Sequence, residues 1–169
     1  MRTDRDPAAA AAAPRVVLDT NVALALYVFR DVRLAGLRAA LDASAFEPVA
    51  DDETLAEFER VLRYPAVKCG EATAAAAADA YAARCTRIPA ASRVLDNLPR
   101  CRDPDDQKFL LLAQRAGAAW LLTRDKALLR LRKGVRFRIA QPEALADAPV
   151  PGSALAPVAT RNGVARSGA

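Results

Sequence analysis

The stretch Val16–Asn21, which reads VVLDTN, joins three apolar residues directly to an acid, a hydroxyl and an amide. Three apolar residues in a row, two of them β-branched, predict a short strand that is buried on both faces. The carboxylate of Asp19 cannot lie deeper without a partner, because an isolated buried charge is very costly. We therefore expect Asp19 at the carboxyl end of this strand, in the crevice where open α/β folds bind ligands.

The composition of the 169-residue chain limits the chemistry that it can perform. A hydrophobic fraction of 53% is enough for a sizeable core, and the length fits one domain with tails. The sequence contains no histidine, which excludes Ser-His and Cys-His catalysis and histidine zinc sites. Its three widely spaced cysteines argue against a disulfide framework. Any metal must therefore be held by oxygen, which favours Mg²⁺ or Mn²⁺.

The two ends of the chain differ in composition from its middle. Residues 1–14 predict a disordered leader, and residues 149–169, rich in Pro, Gly, Ala and Ser, predict a disordered tail. One domain over residues 15–148 remains. No apolar run is long enough to cross a bilayer, and acids interrupt the basic part of the leader, which makes it a poor signal peptide. We expect a cytoplasmic protein with no membrane partner.

Strand and helix patterns alternate within this domain, which predicts an α/β fold with a mostly parallel sheet and helices on both faces. Strands are predicted at residues 15–18, 46–50, 118–123 and 135–140. Helical patterns cover residues 22–27, 32–42, 53–63, 72–87 and 126–131, with another that follows an acidic cap at 102–107 and ends near Gly117.

Further acids are predicted to reach the same edge of the sheet as Asp19. Asp125 follows a second buried strand after a hydroxyl residue, Thr123, and parallel strands end on the same edge. Asp106 begins the buried stripe of the next helix, so it faces inward at the helix tip unless it is only an N-cap. A fourth acid comes from Glu53, Glu57 or Glu59, between which periodicity does not choose.

Carboxylates crowded in this way repel one another unless a cation lies between them. Mg²⁺ takes octahedral oxygen ligands and keeps several waters for chemistry on phosphates. A pair of such ions about 4 Å apart can activate water and stabilise the leaving oxygen of a phosphodiester. Thr20, Asn21 and Thr123 can orient the acids by hydrogen bonds.

Basic residues near these acids fit an anionic substrate, in keeping with a net charge of +5, although an ordinary solvated surface explains them as well. They follow the Glu57 helix and the second acidic strand end: Arg60, Arg63, Lys68, Arg124, Lys126, Arg130, Arg132, Lys133, Arg136 and Arg138. Arg63, Arg124 and Lys126 are the candidates for substrate contacts.

Four motifs together resemble those of the PIN-domain nucleases, and in the same order. They are VVLDTNV at Val16–Val22, ETLAEFERVLRYP at Glu53–Pro65, RDPDDQKFLLLAQRAGA at Arg102–Ala118 and WLLTRDKALL at Trp120–Leu129. The chain is most similar to the bacterial group that includes VapC-type toxins of toxin–antitoxin pairs. The resemblance covers about residues 16–145, which is most of the chain.

The resemblance implies a three-layer α/β/α sandwich and metal-dependent cleavage of single-stranded RNA with Mg²⁺ or Mn²⁺. It implies that Asp19, Glu57, Asp106 and Asp125 bind the metal, and so selects Glu57 among the three glutamates. Asp103 matches a further or supporting ligand, and Asn21 and Thr123 match polar positions around the site. The family also implies a homodimer and, for toxins, inhibition by a cognate antitoxin protein.

Two alternatives to a ribonuclease stay open at this point. A haloacid-dehalogenase-type phosphatase would use Asp19 as its nucleophile, but it needs a second aspartate where this chain has Asn21. A PIN fold without activity would bind RNA or a protein partner, but the presence of all four acids speaks against that.

Overall fold

A sheet of five parallel strands organises the computed structural model, which describes residues 12–90 and 97–146. The strand order is β3-β2-β1-β4-β5, so the strand that precedes Asp19 is the central one. The strands are β1 (Arg15–Leu18), β2 (Glu47–Ala50), β3 (Thr86–Arg87), β4 (Trp120–Leu122) and β5 (Arg138–Ala140). The predicted leader, residues 1–14, and tail, residues 149–169, lie wholly or largely outside the described residues.

Helices cover both faces of this sheet, which confirms the predicted three-layer α/β/α class. In the described part of the chain they are α1 (Thr20–Tyr27), α2 (Ala35–Asp42), α3 (Asp52–Leu62), α4 (Glu71–Arg84), α5 (Gln107–Arg115), α6 (Lys126–Arg130) and α7 (Glu143–Ala146). Short 3₁₀ turns at Val32–Leu34, Pro65–Val67, Pro104–Asp106 and Leu131–Lys133 connect some of them. None of the described helices has the length and apolar character that a membrane span requires.

Successive side chains of β1 point to opposite faces of the sheet, and each face has its own hydrophobic core. Val16 and Leu18 point into the first core, which packs against α1 to α4, whereas Val17 points into the second core with Phe109 and Leu110 of α5. Val16, Val17 and Leu18 are each at most 2% exposed. Burial on both faces is what the unbroken apolar run predicted.

The structure corrects the prediction between residues 72 and 87. The predicted single helix ends at Arg84, and Thr86–Arg87 form the edge strand β3, which pairs with Val49 and Ala50 of β2. Cys85 between them has extended backbone dihedrals. A two-residue strand is too short to show alternation, and the alanine-rich helical pattern before it conceals its start.

The start of α3 is fixed by a capping box at Asp51. The Asp51 carboxylate accepts hydrogen bonds from the backbone amide and from the hydroxyl of Thr54, both at 2.9 Å, and forms an ion pair with Arg115 of α5. Asp51 and Thr54 are both buried. This cap places α3, and with it Glu57, relative to the end of β2.

We expect Asp51→Ala to lower the free energy of unfolding by about 2 kcal/mol, since it removes the cap and leaves Arg115 unpaired. Denaturant unfolding monitored by circular dichroism measures this loss. Glu53→Ala, in the exposed first turn of the same helix, is the matched control and should change the value by less than about 0.5 kcal/mol. Equal losses in the two variants would contradict the role of the cap.

Candidate active site

The hydroxyl of Thr123 links the acids that follow the two central strands. Leu18 of β1 is in register with Leu122 of β4, and the Asp19 amide donates to the Leu122 carbonyl at 3.0 Å. The Thr123 Oγ1 donates to Asp19 Oδ2 at 2.6 Å and accepts from the Asp125 amide at 2.9 Å. Thr123 is fully buried, so this pair of bonds is shielded from water.

Asp19 is itself buried, with 3% exposure, and caps the start of α1. Burial raises the pKa of the Asp19 carboxyl, while the hydrogen bonds from Thr123 and from the backbone amide of Asn21 lower it; the negative charges of Glu57 and Asp125 raise it again. The net shift is upward. Asn21 therefore supports Asp19 through its backbone, at 3.3 Å, while its side chain lies at an exposed position.

Asp125 caps the start of α6. Its Oδ1 accepts from the amides of Ala127, at 2.5 Å, and Leu128, at 3.1 Å. The described residues donate no hydrogen bond to its Oδ2, which leaves that oxygen available to a ligand. Asp125 is half-buried, so the site is open to solvent on this side.

Glu57 reaches the same region from the middle of α3. Its Oε1 accepts a hydrogen bond of 2.6 Å from the Thr20 hydroxyl, in the residue after Asp19. Its Oε2 forms an ion pair with Lys108 of α5. Of the three glutamates left open by periodicity, Glu53 and Glu59 are exposed, and Glu57 is the one whose carboxylate lies beside Asp19.

Asp106 lies at the N-cap position of α5, but its side chain makes no capping hydrogen bond. Its pKa is raised from 3.8 to about 6. Partial burial is the largest cause, followed by the charges of Asp19, Asp125, Asp103 and Glu57. Hydrogen bonds join Asp19 to Asp125 through Thr123 and Glu57 to Thr20, and the charges of these three acids act on Asp106. We call Asp19, Glu57, Asp106 and Asp125 the acidic cluster.

Asp103 stands at the margin of the acidic cluster. Its carboxylate accepts from the Asp105 amide at 3.0 Å and thereby caps the 3₁₀ turn before α5. It is exposed, yet its charge contributes to the raised pKa of Asp106. The structure thus gives Asp103 a supporting position in the loop.

The three candidate substrate residues differ in their exposure and in their ion-pair partners. Lys126 is exposed and adjoins Asp125 in the chain, and Arg63 is exposed at the end of α3. The Arg124 guanidinium is engaged by Asp31 at 2.9 Å and by Glu143 at 2.5 Å. Arg124 therefore ties the loop after β4 to α7 and to the segment after α1, and it is not a free cation.

The oxygen donors of the acidic cluster suit a hard divalent cation such as Mg²⁺ or Mn²⁺. Among the described residues, no three His, Cys, Asp or Glu side chains stand close enough to enclose an ion. Mg²⁺ commonly binds proteins through one or two carboxylates and keeps several of its waters. The donors fit the ion, but a complete set of direct ligands is not preassembled.

Sequence reasoning missed Lys108, which carries the positive charge paired with Glu57. It treated Lys108 only as part of the helix after the acidic cap. A signal was present, because Lys108 precedes the buried Leu112 by one helical turn, so it lies in line with the buried stripe of α5. A lysine on such a stripe, two residues after Asp106, indicates a partner acid.

Thr123→Val is expected to weaken Mn²⁺ binding by about tenfold, because it removes the hydroxyl that orients Asp19 and lowers the pKa of its carboxyl. Thr123→Ser keeps the hydroxyl and should bind nearly as the natural protein does. Calorimetric titration with Mn²⁺ measures both affinities. Equal affinity in the Val variant and the natural protein would show that the hydroxyl does not position the acids.

Asp106→Asn is expected to stabilise the metal-free protein at pH 7 but not at pH 4. The folded-state pKa of Asp106, about 6, lies above the ordinary 3.8, so the folded protein binds the proton more tightly and stability falls as pH rises between these values. Asparagine cannot ionise, so the free energy of unfolding of the variant does not fall over this pH range through residue 106. Discounted for solvent screening, the gain at pH 7 is about 1 kcal/mol, or about 3 °C in Tm.

Thermal unfolding in the presence of a chelator measures this difference. The neighbouring exposed Asp105→Asn is the matched control, and its Tm should stay within about 1 °C of the natural protein at both pH values. A Tm gain for Asp106→Asn that is the same at pH 4 and pH 7 would contradict the assigned cause.

Comparison with known proteins gives one informative result. Residues 15–127 match the family model described as PIN domain, an interval that contains all four acids of the acidic cluster. No curated protein and no solved structure gave a significant match.

Proposed function

Because the chain belongs to the PIN-domain family, whose fold is of nuclease type, we propose that it is a metal-dependent endoribonuclease that hydrolyses phosphodiester bonds of single-stranded RNA. The observation that supports this proposal best is the convergence of four carboxylates on one edge of the sheet, where partial burial and the neighbouring negative charges raise the pKa of Asp106 to about 6. Carboxylates this close repel one another in the metal-free fold, and a bound cation would relieve that repulsion.

Asp19, Asp106 and Asp125 are the residues that we propose to hold a Mg²⁺ or Mn²⁺ ion, with Glu57 beside them and Asp103 in support. The bound ion supplies Lewis-acid polarisation of a phosphodiester and of the attacking water. The Thr123 hydroxyl and the Asn21 amide hold Asp19 in place, and the α6 amides leave Asp125 Oδ2 free.

Exposed basic residues support the proposal of a polyanionic substrate such as RNA. Lys126 is exposed beside Asp125, and Arg63 is exposed at the end of the helix that carries Glu57, so both can contact phosphates. Arg124 supports the loop that carries Asp125 through its two ion pairs. Few aromatic residues are present to stack on bases, with an aromatic fraction of 5%, so the proposal names no base preference.

The biological role that we propose is that of the toxin in a toxin–antitoxin pair, acting in the cytoplasm as a homodimer. The motif resemblance to VapC-type toxins supports it, as do the basic net charge and the nuclease-type family. The neighbouring open reading frame tests this part: a small upstream gene for an antitoxin-like protein is the expected finding. A chain encoded without such a neighbour would argue against the toxin role but not against nuclease activity.

Asp19→Asn and Asp125→Asn should each reduce Mn²⁺-dependent cleavage of single-stranded RNA by at least about 100-fold, since even residues that only support metal ligands cost tenfold to 100-fold. Both substitutions keep the side-chain size, and circular dichroism checks the fold. Asp79→Asn, an exposed acid on α4, is the control and should retain full activity. Unchanged cleavage by the Asp19 and Asp125 variants would refute the proposal.

The two alternatives to a ribonuclease predict different results in assays of RNA cleavage and of phosphate transfer. A PIN fold without activity would bind RNA and show no cleavage with any divalent ion. A phosphatase of the haloacid-dehalogenase type would form a trappable aspartyl-phosphate on Asp19, but Asn21 stands where its second acid is needed and the family match does not favour it.

A further inference from the structure

Lys108 brings a positive charge of the chain itself into the site. The Lys108 Nζ forms an ion pair with Glu57 Oε2, and the two side chains are only 10% and 14% exposed. The other oxygen of Glu57, Oε1, accepts the 2.6 Å hydrogen bond from Thr20. Glu57 therefore already carries a cation on one oxygen, whereas the two oxygens of Asp19 accept hydrogen bonds from neutral donors, the Asn21 amide and the Thr123 hydroxyl.

This ion pair stands within reach of the other acids. Glu57 is hydrogen-bonded to Thr20, the residue after Asp19, and its negative charge contributes to the raised pKa of both Asp19 and Asp106, so the pair lies at the acidic cluster. Lys108 lies two residues after Asp106 on the same helix, and its Nζ is 5.7 Å from the ring centroid of the buried Phe109. In the described residues its ammonium forms no ion pair other than that with Glu57.

An ion that entered at Glu57 would have to displace this ammonium. The displaced Lys108 would be left as a largely buried charge without a partner, which is strongly unfavourable. By contrast, Asp125 Oδ2 accepts no hydrogen bond from the described residues, and the Asp106 carboxylate makes no capping bond. Metal binding beside Glu57 is therefore unfavourable, whereas Asp106 and Asp125 have carboxylate oxygens without hydrogen-bond donors among the described residues.

The charge balance of the site agrees with this division. The acidic cluster carries four negative charges when fully ionised, of which Lys108 offsets one and a single divalent ion two. One divalent ion leaves a net charge of −1 on the acidic cluster and Lys108 together, and a second ion would change its sign to +1. The ammonium of Lys108 thus supplies part of the positive charge that a second ion would otherwise supply.

We propose that Lys108 takes the cation position at Glu57, so that the site binds one divalent ion on the side of Asp19, Asp106 and Asp125 instead of two. This inference rests on the proposed metal dependence and adds a specific role to it. Lys108 is a positioning residue, which holds Glu57 and fixes the metal stoichiometry, and Glu57 acts as its counter-ion instead of as a direct metal ligand.

The test is the number of Mn²⁺ ions bound per chain, measured by calorimetric titration and by electron paramagnetic resonance of the free ion. The natural protein is expected to bind one ion. Lys108→Met frees Glu57 and should bind a second, whereas Lys108→Arg keeps the charge and should bind one. In the double variant Glu57→Gln/Lys108→Met the second ion should be lost again, and Lys126→Met, which removes a neighbouring exposed charge, should bind one.

Two ions bound by the natural protein would overturn the inference, and so would a single ion of unchanged affinity in a folded Lys108→Met variant. Either result leaves the proposed metal-dependent nuclease intact. No Mn²⁺ binding by the natural protein would instead refute the proposed function together with this inference. If Lys108→Met does not fold, as judged by circular dichroism, the count for the natural protein and for Lys108→Arg decides.

Discussion

A single buried hydroxyl, that of Thr123, joins the ends of the two central strands and holds the acids that follow them. It donates to Asp19 at 2.6 Å and accepts from the amide of Asp125 at 2.9 Å. This bond pair requires that β1 and β4 be adjacent and parallel with Leu18 opposite Leu122, which is the register observed. The strand order therefore places the acids, and the helices that cover the sheet bring Glu57 and Asp106 to meet them.

Bringing four carboxylates to one place opposes the stability of the metal-free fold. The raised pKa values of Asp19 and Asp106 reflect their burial first and the neighbouring negative charges second, and each carboxyl binds its proton more tightly in the folded chain. The chain offsets part of it with Lys108 at Glu57 and with the capping amides at Asp125. What remains is a negative site beside exposed basic residues, an arrangement that suits a divalent ion and a polyanion together.

Much of this arrangement was predictable from the sequence, because β1 and β4 are unbroken apolar runs that end in a hydroxyl and an acid. The choice of Glu57 was not predictable from periodicity, since Glu53 and Glu59 flank the same stripe and only tertiary packing separates them. The edge strand β3 is too short for alternation to show. Lys108 was missed because a lysine near a helix start is usually solvated, and its partner is 51 positions away in the chain.

If these acids form one metal site, anomalous diffraction from crystals soaked in Mn²⁺ will locate the ion there. We expect a single anomalous peak within coordination distance of carboxylate oxygens of Asp19, Asp106 or Asp125, with the ammonium of Lys108 still on Glu57. An ordered Mn²⁺ elsewhere on the protein and none at these residues would contradict it.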